Sequence, residues 1–344
     1  DYDFSSLPVF VRENTLLPIG AVDTTVDYEL EKDVQIQVYE VNETASCEVV
    51  TRKGETAFTV KAVREGNKLT LEASAENGGM NMETNQYLID LYNNYDEDSR
   101  LVTKHGSVEF LTTMRYIEKY IKPGDRVLEI GAATGRYSHT LARRGYTVDA
   151  VELVGHNIEI FRKNTLPDEN ITITQGNAVD LSAFPDNQYD ITLLLGPLYH
   201  LYSDKDKRQA LSEAIRVTKP GGVIFAAYVI SDGCLLDEGF HRGNISVMEY
   251  IENGLLDPLT FAAKSEPKDL FELVRKENVD ELMSIFPVTR LHYIASDGCA
   301  LFMREAVDAM EQDKFELYLK YHFATCERED LLGITSHAVD IFRK

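Results

Sequence analysis

The sequence is poor in the residues that hold small secreted domains together. Tryptophan is absent, and the 344 residues include only four cysteines, none of them in a C-x-x-C pair. This excludes a disulfide scaffold and a cysteine-based metal site, so we expect buried, reduced thiols and no bound metal. Long apolar runs are also missing, since a stretch such as residues 223–230 is far shorter than the roughly 18 residues of a membrane span.

Basic residues are scarce as well. The chain has 35 Lys and Arg against 57 Asp and Glu, a formal net charge of −22. Such a chain repels the phosphates of nucleic acids and anionic membrane surfaces. We therefore expect neither nucleic acid nor membrane as a partner. The opening residues lack a basic segment followed by an apolar run, which favours a cytoplasmic location. No pattern indicates an oligomeric state.

The residues that are present indicate a globular chain with two domains. Hydrophobic residues make up 44% and charged residues 27%, enough to build cores, and the length suggests two of them. Residues 1–79 contain short alternating segments rich in β-branched residues, which predict an all-β module. Gly78–Gly79 is a natural linker. From residue 80 onward helical spacing appears first, and strands and helices then alternate, which predicts an α/β domain over 80–344.

The second part predicts seven strands with helices between them, the pattern of a doubly wound parallel sheet. The predicted strands are Arg126–Ile130, Thr147–Glu152, Ile171–Gln175, Tyr189–Leu195, Gly222–Ile230, Val288–Ile294 and Ala338–Phe342. The predicted helices are 87–92, 108–121, 135–144, 156–164, 205–218 and 268–276, with two more between Cys299 and Arg328. Residues 231–266 exceed the usual connection length and predict a lid or specificity insertion, or alternatively a helix pair that covers the sheet edge.

The strongest local motif is the turn after the first of these strands. The sequence DRVLEIGAATGR, residues 125–136, takes an apolar strand through a turn with small side chains into a helix. Such a turn lets the backbone approach a ligand, and the helix start offers free N–H groups to negative charge. The dinucleotide pattern G-x-G-x-x-G needs glycines where the chain has Ala133 and Arg136, so a nicotinamide cofactor is a weak interpretation.

An acid on the strand followed by G-x-G-x-G is a different spacing, met by Glu129, Gly131 and Gly135 with Ala133 in the middle. A second strand ends in Glu152, about 20 residues after Gly131, where a ribose-binding acid sits in nucleotide-binding folds. The segments QGNAVDL, YDITLLLGPLYHL and RVTKPGG follow in order. Together these motifs resemble the class I S-adenosylmethionine (SAM)-dependent methyltransferases, over about residues 80–344.

The resemblance implies a seven-stranded Rossmann-like sheet, SAM as cofactor and S-adenosylhomocysteine as product. It implies the following positions around SAM: Glu129 near the amino-acid portion, Gly131, Ala133 and Gly135 in the close turn, Glu152 and Leu153 at the ribose, Asn177 and Ala178 near adenine, and Leu195 and Gly196 beneath the sulfonium. Ala133 and Asn177 depart from the usual Gly and Asp. The side-chain oxygen of Asn177 can still accept a hydrogen bond from the adenine amino group. A solvated acid at Glu152 and a plain core residue at Leu195 are the competing interpretations.

The predicted activity is methyl transfer to an oxygen or nitrogen atom of a small molecule. Tyr199 and His200 lie where the fourth strand ends, so they are the candidates for catalysis, with packing or helix capping as the alternative role of His200. In relatives the segment before the first strand covers SAM, which makes Tyr95, Arg100 and His105 further candidates. The alternative function is a non-catalytic SAM-binding sensor or pseudo-enzyme with a protein partner.

Residues 1–79 carry a second resemblance. The stretches LPVFVRENTLLPIG, CEV and FTVKA resemble the C-terminal β-domain region of family 31 glycoside hydrolases, closest to α-xylosidases. The catalytic barrel of that family needs about 250 residues and is missing, so the module cannot cleave glycosides. An incomplete remnant, a natural fusion, a gene-boundary error and a small binding module remain open. A remnant predicts a loosely packed sandwich with an exposed edge strand.

Overall fold

A computed structural model describes residues 13–19, 35–50, 56–66, 68–74, 87–92, 102–267 and 271–344. The chain divides into two compact units, Asp1–Gly79 and Met80–Lys344. The predicted linker Gly78–Gly79 and the candidates Tyr95 and Arg100 lie outside the described residues. No helix in the described parts of the chain is both long and apolar enough to cross a membrane.

The first unit consists of small antiparallel sheets. Strands β1 (Thr15–Ile19) and β2 (Gln35–Tyr39) form one pair, and β3 (Thr44–Val50), β4 (Thr56–Glu65) and β5 (Lys68–Ser74) form a three-stranded sheet. Among the described residues of this unit, one buried cluster contains Leu16, Val41, Ala45, Val60 and Ala62, and Val49 is buried as well.

The second unit is built on one large sheet. Its strands are β6 (Arg126–Ile130), β7 (Thr147–Glu152), β8 (Ile171–Gln175), β9 (Tyr189–Leu194), β10 (Thr218–Ile230), β11 (Leu273–Val274), β12 (Thr289–Ala295) and β13 (His337–Arg343). The order is β12-β13-β10-β9-β6-β7-β8, and β11 pairs with the end of β10. Only β13 runs antiparallel to its neighbours in this sheet. The predicted fold class is confirmed.

Helices cover both faces of this sheet. They are α1 (87–92), α2 (Lys104–Tyr120), α3 (Arg136–Arg143), α4 (Gly155–Asn164), α5 (Asp204–Val217), α6 (Ser231–Cys234), α7 (Val247–Glu252), α8 (Lys276–Met283), α9 (Arg304–Asp308) and α10 (Gln312–Thr325). A π-helical turn, Leu235–His241, continues α6. Two buried clusters, one on each face, contain mainly aliphatic and aromatic side chains from the strands and the inner helix faces.

The prediction of a helix over residues 268–276 is wrong. Residues 271–275 are not helical: they contain the short strand β11, and helix α8 begins at Lys276. Long-range hydrogen bonds fix this segment, since the backbone N–H of Glu272 donates to the Tyr199 carbonyl over 2.7 Å. The local helical spacing mispredicts this segment because its conformation is set by pairing with β10. That contact joins residues distant in sequence, so no local pattern reveals it.

The four thiols are free, but only Cys326 is buried, and Cys47, Cys234 and Cys299 are half-buried. The expectation of reduced thiols therefore agrees with the structure, whereas full burial holds for one of them. Partial exposure does not conflict with the reduced state, because no two of these thiols form a disulfide.

Candidate functional site

The sheet topology places the site. From β6 the chain moves outward to β7 and β8, then returns to the other side of β6 to form β9. In open α/β sheets a crevice forms outside the carboxyl ends of the strands at such a switch point. A cavity of about 480 Å³ lies there, a size that accommodates an ordinary cofactor.

The turn after β6 is held in left-handed backbone. Gly131 and Gly135 have φ angles of 75° and 94°, and Ala133 adopts 46° despite its Cβ. A Cβ on Gly131 would lie 2.6 Å from Cδ of Pro197, and one on Gly135 would lie 2.6 Å from the Phe161 ring. Both glycines are therefore required by close packing as well as by backbone conformation.

The backbone N–H groups of this turn are already used. Those of Gly131 and Ala132 donate to the Val151 carbonyl, that of Ala133 donates to Glu152, and that of Gly135 donates to the Ala132 carbonyl. The sequence predicted free N–H groups at the start of the helix that follows, and there the N–H of Ser138 is already used, since it donates to Glu129 over 2.9 Å. Glu129 and Glu152 bring two carboxylates to this part of the cavity wall, which suits a cationic group, while Arg136 and Arg143 also line the cavity.

Glu129 lines this cavity and is 3% exposed. Its Oε2 accepts hydrogen bonds from the backbone N–H of Ser138, at 2.9 Å, and from the Ser138 hydroxyl. Burial raises the pKa of Glu129 to about 8. The hydrogen bonds from Ser138 lower this pKa, whereas the nearby Glu152 carboxylate raises it further. A cation in the cavity would stabilise the ionised form.

Glu152 ends β7 and is 6% exposed. Its Oε2 accepts from the Ala133 N–H at 2.9 Å, and its Oε1 accepts from the Val154 N–H at 2.9 Å and from Nδ2 of Asn157 at 3.2 Å. Burial raises the pKa of Glu152, while these donors lower it. The side chain lines the cavity and ties the turn after β6 to the start of α4.

The remaining cofactor candidates lie on neighbouring strand ends. Leu153, Asn177, Ala178, Leu195 and Gly196 all line the same cavity, together with Ala133 and Gly131. The Oδ1 atom of Asn177 accepts a hydrogen bond from the Val179 N–H at 3.2 Å, and a carbonyl oxygen has a second lone pair for a ligand. Gly135 is the one predicted cofactor residue outside the cavity wall, because it packs against Phe161.

The loop after β9 brings the two catalytic candidates to the cavity. The Tyr199 hydroxyl donates to the Leu195 carbonyl over 3.0 Å, which fixes its ring against the strand end. Nε2 of His200 lies 3.0 Å from the Tyr92 hydroxyl, and the imidazole is buried among the rings of Tyr92, Tyr199 and Phe271. Both residues line the cavity, and His200 is also a packed part of an aromatic cluster.

A second cavity of about 760 Å³ adjoins the first. Tyr92 and Tyr199 belong to the walls of both. Residues of the 231–266 insertion supply much of its other wall: Cys234, Asp237, Glu238, Arg242, Ile245, Tyr250, Leu255, Leu256, Ala263 and Ser265. Arg304 forms an ion pair with Asp237, so part of the charge in this wall is neutralised internally. The rest is mainly apolar and aromatic.

The sequence motifs did not identify two residues of the second cavity that lie at strands β11 and β13. His337, which begins β13, lines this cavity, and so does Phe271 just before β11. His105, which the sequence predicted to cover SAM, lines the second cavity and not the first, with Nδ1 2.7 Å from Oδ2 of Asp308. The only sequence signal for His337 is its place at a strand end, which becomes informative once β13 is known to run antiparallel.

Two protein families match parts of the chain. Residues 128–226 match the methyltransferase domain family, and residues 29–94 match the C-terminal domain of alpha-xylosidase YicI. The second match extends beyond Gly79 and includes α1. Both resemblances found in the sequence are thereby confirmed.

Individual relatives agree with the first match. The chain is 32% identical to the S-adenosyl-L-methionine-dependent Diels-Alderase iccD of Talaromyces variabilis over 29% of this chain and 34% of that protein. It is 33% identical to the demethylmenaquinone methyltransferase of Clavibacter sepedonicus over 29% of this chain and 40% of that protein. The matched segment thus spans well under two thirds of these relatives.

Among solved structures, the phosphoethanolamine N-methyltransferase 1 of Haemonchus contortus, in complex with phosphoethanolamine and S-adenosylhomocysteine, aligns with a TM-score of 0.46. The identity is 14%, and the alignment covers 76% of this chain and 48% of that one. On the family match, residues 128–226 of the second unit belong to a methyltransferase domain.

Proposed function

We propose that this chain is an enzyme that transfers the methyl group of SAM to an oxygen or nitrogen atom of a small molecule. The observation that carries the proposal is the pair of adjoining cavities. The first is lined by the motif residues of the methyltransferase domain, and the second is enclosed by the insertion. Tyr92 and Tyr199, which both cavities share, mark the place where cofactor and acceptor would meet.

The residues of the first cavity fit SAM. Glu129 and Glu152 are buried acids beside each other, a pair that is costly without a positive ligand. The ammonium group of SAM would interact with Glu129, and its ribose hydroxyls would donate to Glu152, which is acceptor-only when ionised. Asn177 and Ala178 lie on the next strand end along, where the adenine would lie.

When bound, SAM supplies a methyl group that its sulfonium has already activated. The main task of the protein is then to hold the acceptor in line with that methyl group, which is worth roughly 7 to 11 kcal/mol, whereas a general base adds about 10² to 10⁴ in rate. Tyr199 and His200, predicted from sequence, stand beside the cavity junction. The Tyr199 ring forms part of the wall on both sides.

The test is calorimetry of the full chain with SAM, followed by a screen of metabolite mixtures in which release of S-adenosylhomocysteine is measured. We expect binding of one SAM per chain and release that depends on the mixture. Absence of SAM binding would contradict the proposal at its base. The matched control is Gly131→Ala, whose new Cβ would collide with Pro197 and disturb the turn.

A second candidate function is SAM binding without methyl transfer, either as a non-catalytic sensor with a protein partner or as a catalyst of another reaction. The relative from Talaromyces variabilis supports it, because that protein is named for a cycloaddition, in which no methyl group is transferred. SAM binding without release of S-adenosylhomocysteine from any mixture would favour this candidate.

A further inference from the structure

The carboxyl end of β12 and the amino end of β13 lie at the same edge of the sheet as the SAM cavity. This follows from the antiparallel direction of β13, whose first residue, His337, pairs with Val229 near the carboxyl end of β10. Asp297 comes just after β12. These two residues, far apart in sequence, are therefore neighbours beside the second cavity.

Asp297 is held by an extensive set of donors and is 1% exposed. Its Oδ1 accepts from the backbone N–H groups of Ser336 and His337, each at 3.1 Å, and from the Thr335 hydroxyl. Its Oδ2 lies 2.7 Å from Nδ1 of His337. An ionised carboxylate only accepts hydrogen bonds, so Nδ1 carries the proton and Nε2 of the neutral imidazole carries the lone pair.

The His337 ring lies on the acceptor side of the site. It lines the second cavity, and its centroid is 6.5 Å from that of Tyr199, which lines both cavities. Among the described residues, the charged and titratable groups that lie against it include Asp297, Glu109 and Tyr199, with Oε2 of Glu109 3.8 Å from Nδ1. Both carboxylates stabilise an imidazolium once it forms.

We propose that His337 is the general base of the reaction and that Asp297 is its positioning residue. The inference rests on the proposed function. Nε2 of His337 takes the proton of a hydroxyl or ammonium group on the acceptor, and the electron pair released on oxygen or nitrogen forms the new bond to the methyl carbon. The carbon–sulfur bond of SAM breaks with its electrons left on sulfur, and the imidazolium then returns its proton to water. The acceptor is thus a compound with an ionisable O–H or N–H group, held in a mainly apolar cavity.

His200 fits this task less well. Its Nε2 is 3.0 Å from the Tyr92 hydroxyl, so the atom that would accept a proton already contacts another side chain. The arrangement of His337 with Asp297 has both features that a base needs, a fixed tautomer and a group that stabilises the protonated ring. His337 also faces the larger cavity, where the acceptor would bind.

The first test needs no acceptor. In nitrogen-15 NMR of the full chain labelled at its eight histidines, the signals of His337 are assigned by their loss in His337→Gln. We expect the tautomer with the proton on Nδ1 at pH 8, and we expect Asp297→Asn to shift the proton to Nε2. A proton on Nε2 of His337 in the unaltered chain would overturn the inference while leaving the proposed function untouched.

The second test uses release of S-adenosylhomocysteine from the metabolite mixture that the unaltered chain methylates. We expect His337→Gln to lower the rate by about 10² to 10⁴ with SAM affinity within about twofold. The matched control is His292→Gln, because His292 also pairs Nδ1 with a carboxylate, Glu327 at 2.8 Å, but lines neither cavity. Its rate stays unchanged. Equal rates for both variants would reject His337 as the base.

Metal chelation tests whether these residues bind a metal ion instead of acting as a base and its positioning residue. Donor atoms of Glu109, Asp297 and His337 lie within 4.8 Å of one another, a set that could bind a divalent cation. We expect dialysis against EDTA to leave the rate and the His337 tautomer unchanged. Loss of activity that zinc or magnesium restores would replace the base by a metal site. If the unaltered chain binds SAM and no mixture releases product, the proposed function fails, and the NMR result still decides the tautomer.

Discussion

The carboxylate of Glu152 accepts a hydrogen bond from the backbone N–H of Ala133 over 2.9 Å, which ties the end of β7 to the turn after β6. The acid that would hold the ribose thus also shapes the turn beneath the cofactor. Binding and turn geometry are coupled through one side chain, so its variants should separate the two effects.

Glu152→Gln removes the charge and keeps the size of the side chain. We expect SAM affinity to fall by about 10- to 100-fold, because hydrogen bonds to charged groups contribute roughly 1.5 to 3 kcal/mol. The chain should stay folded, since burial already penalises the charge. Glu152→Ala additionally leaves the Ala133 and Val154 N–H groups without their acceptor, which we expect to cost about 2 kcal/mol or more in unfolding free energy. Calorimetry and urea unfolding measure the two quantities, and unaltered affinity of Glu152→Gln would show that the ribose binds elsewhere.

SAM binding should release a proton from Glu129. In the ligand-free chain the pKa of Glu129 is raised from 4.5 to about 8, so most of the carboxyl is protonated at pH 7. The ammonium group of SAM favours the carboxylate, so we expect release of up to about one proton at pH 7 and affinity that rises with pH until about pH 8. Calorimetry in buffers of different ionisation enthalpy counts the protons. Glu129→Gln is the control, and release of the same number of protons by this variant would assign them to another group.

The same carboxyl affects stability without ligand. Between pH 4.5 and about 8 the folded chain holds a proton on Glu129 that the unfolded chain has lost. The unfolding free energy contributed by this group therefore falls as the pH rises through that window, and the fall ends above the folded pKa. Urea unfolding at pH 5 and pH 9 measures this contribution. It is the pH-dependent difference in unfolding free energy between the original chain and Glu129→Gln.

Ala133→Gly should be tolerated or favourable. Ala133 has a φ of 46°, a conformation that costs residues with a Cβ about 1 to 2 kcal/mol, while glycine costs about 0.4 to 1 kcal/mol of extra entropy in the unfolded chain. We expect a gain in unfolding free energy of up to about 1.6 kcal/mol and no loss of SAM affinity. Ala132→Gly is the control, because Ala132 is not left-handed, and it should lose stability. If urea unfolding shows Ala132→Gly to be more stable than Ala133→Gly, the backbone of Ala133 is not strained.

Gly233→Ala should disrupt the support of the proposed base. A Cβ on Gly233 would lie 1.9 Å from the Thr335 carbonyl oxygen, so α6 and the segment that donates to Asp297 would have to separate. We expect a loss of about 3 kcal/mol or more, or no folded protein, as strong overpacking against backbone does. Gly333→Ala is the control, since its Cβ meets nothing within 4 Å and its φ is not left-handed. Similar thermal unfolding of both variants would contradict this packing.

Much of the sheet was predictable because its strands are continuous apolar runs with clear ends. The predicted bounds of β6, β7 and β8 match the structure, and β10 begins earlier than predicted, at Thr218, through an irregular pairing around its Pro-Gly-Gly segment. Strand β11 was missed because its two residues are defined by pairing with β10. Its local sequence contains no turn or alternation that would mark it.

The first cavity was predictable from motifs, since each motif lies next to a strand end. The hydrogen bonds inside it were not, because the N–H groups of the turn after β6 are used by Val151 and Glu152, two residues on another strand. The pairing of Asp297 with His337 depends on the reversed direction of the last strand. A pattern in one segment cannot show that direction, so topology was needed to find the pair.

Strand β13 lies between β10 and β12, although both of these precede it in the chain. During synthesis, which proceeds from the amino end, the sheet therefore has an open slot until residues 337–343 have left the ribosome. The apolar face prepared for Ile341 and Phe342 stays uncovered until then. Nascent chains that stall before residue 337 should accordingly be the ones that chaperones retain and proteases remove.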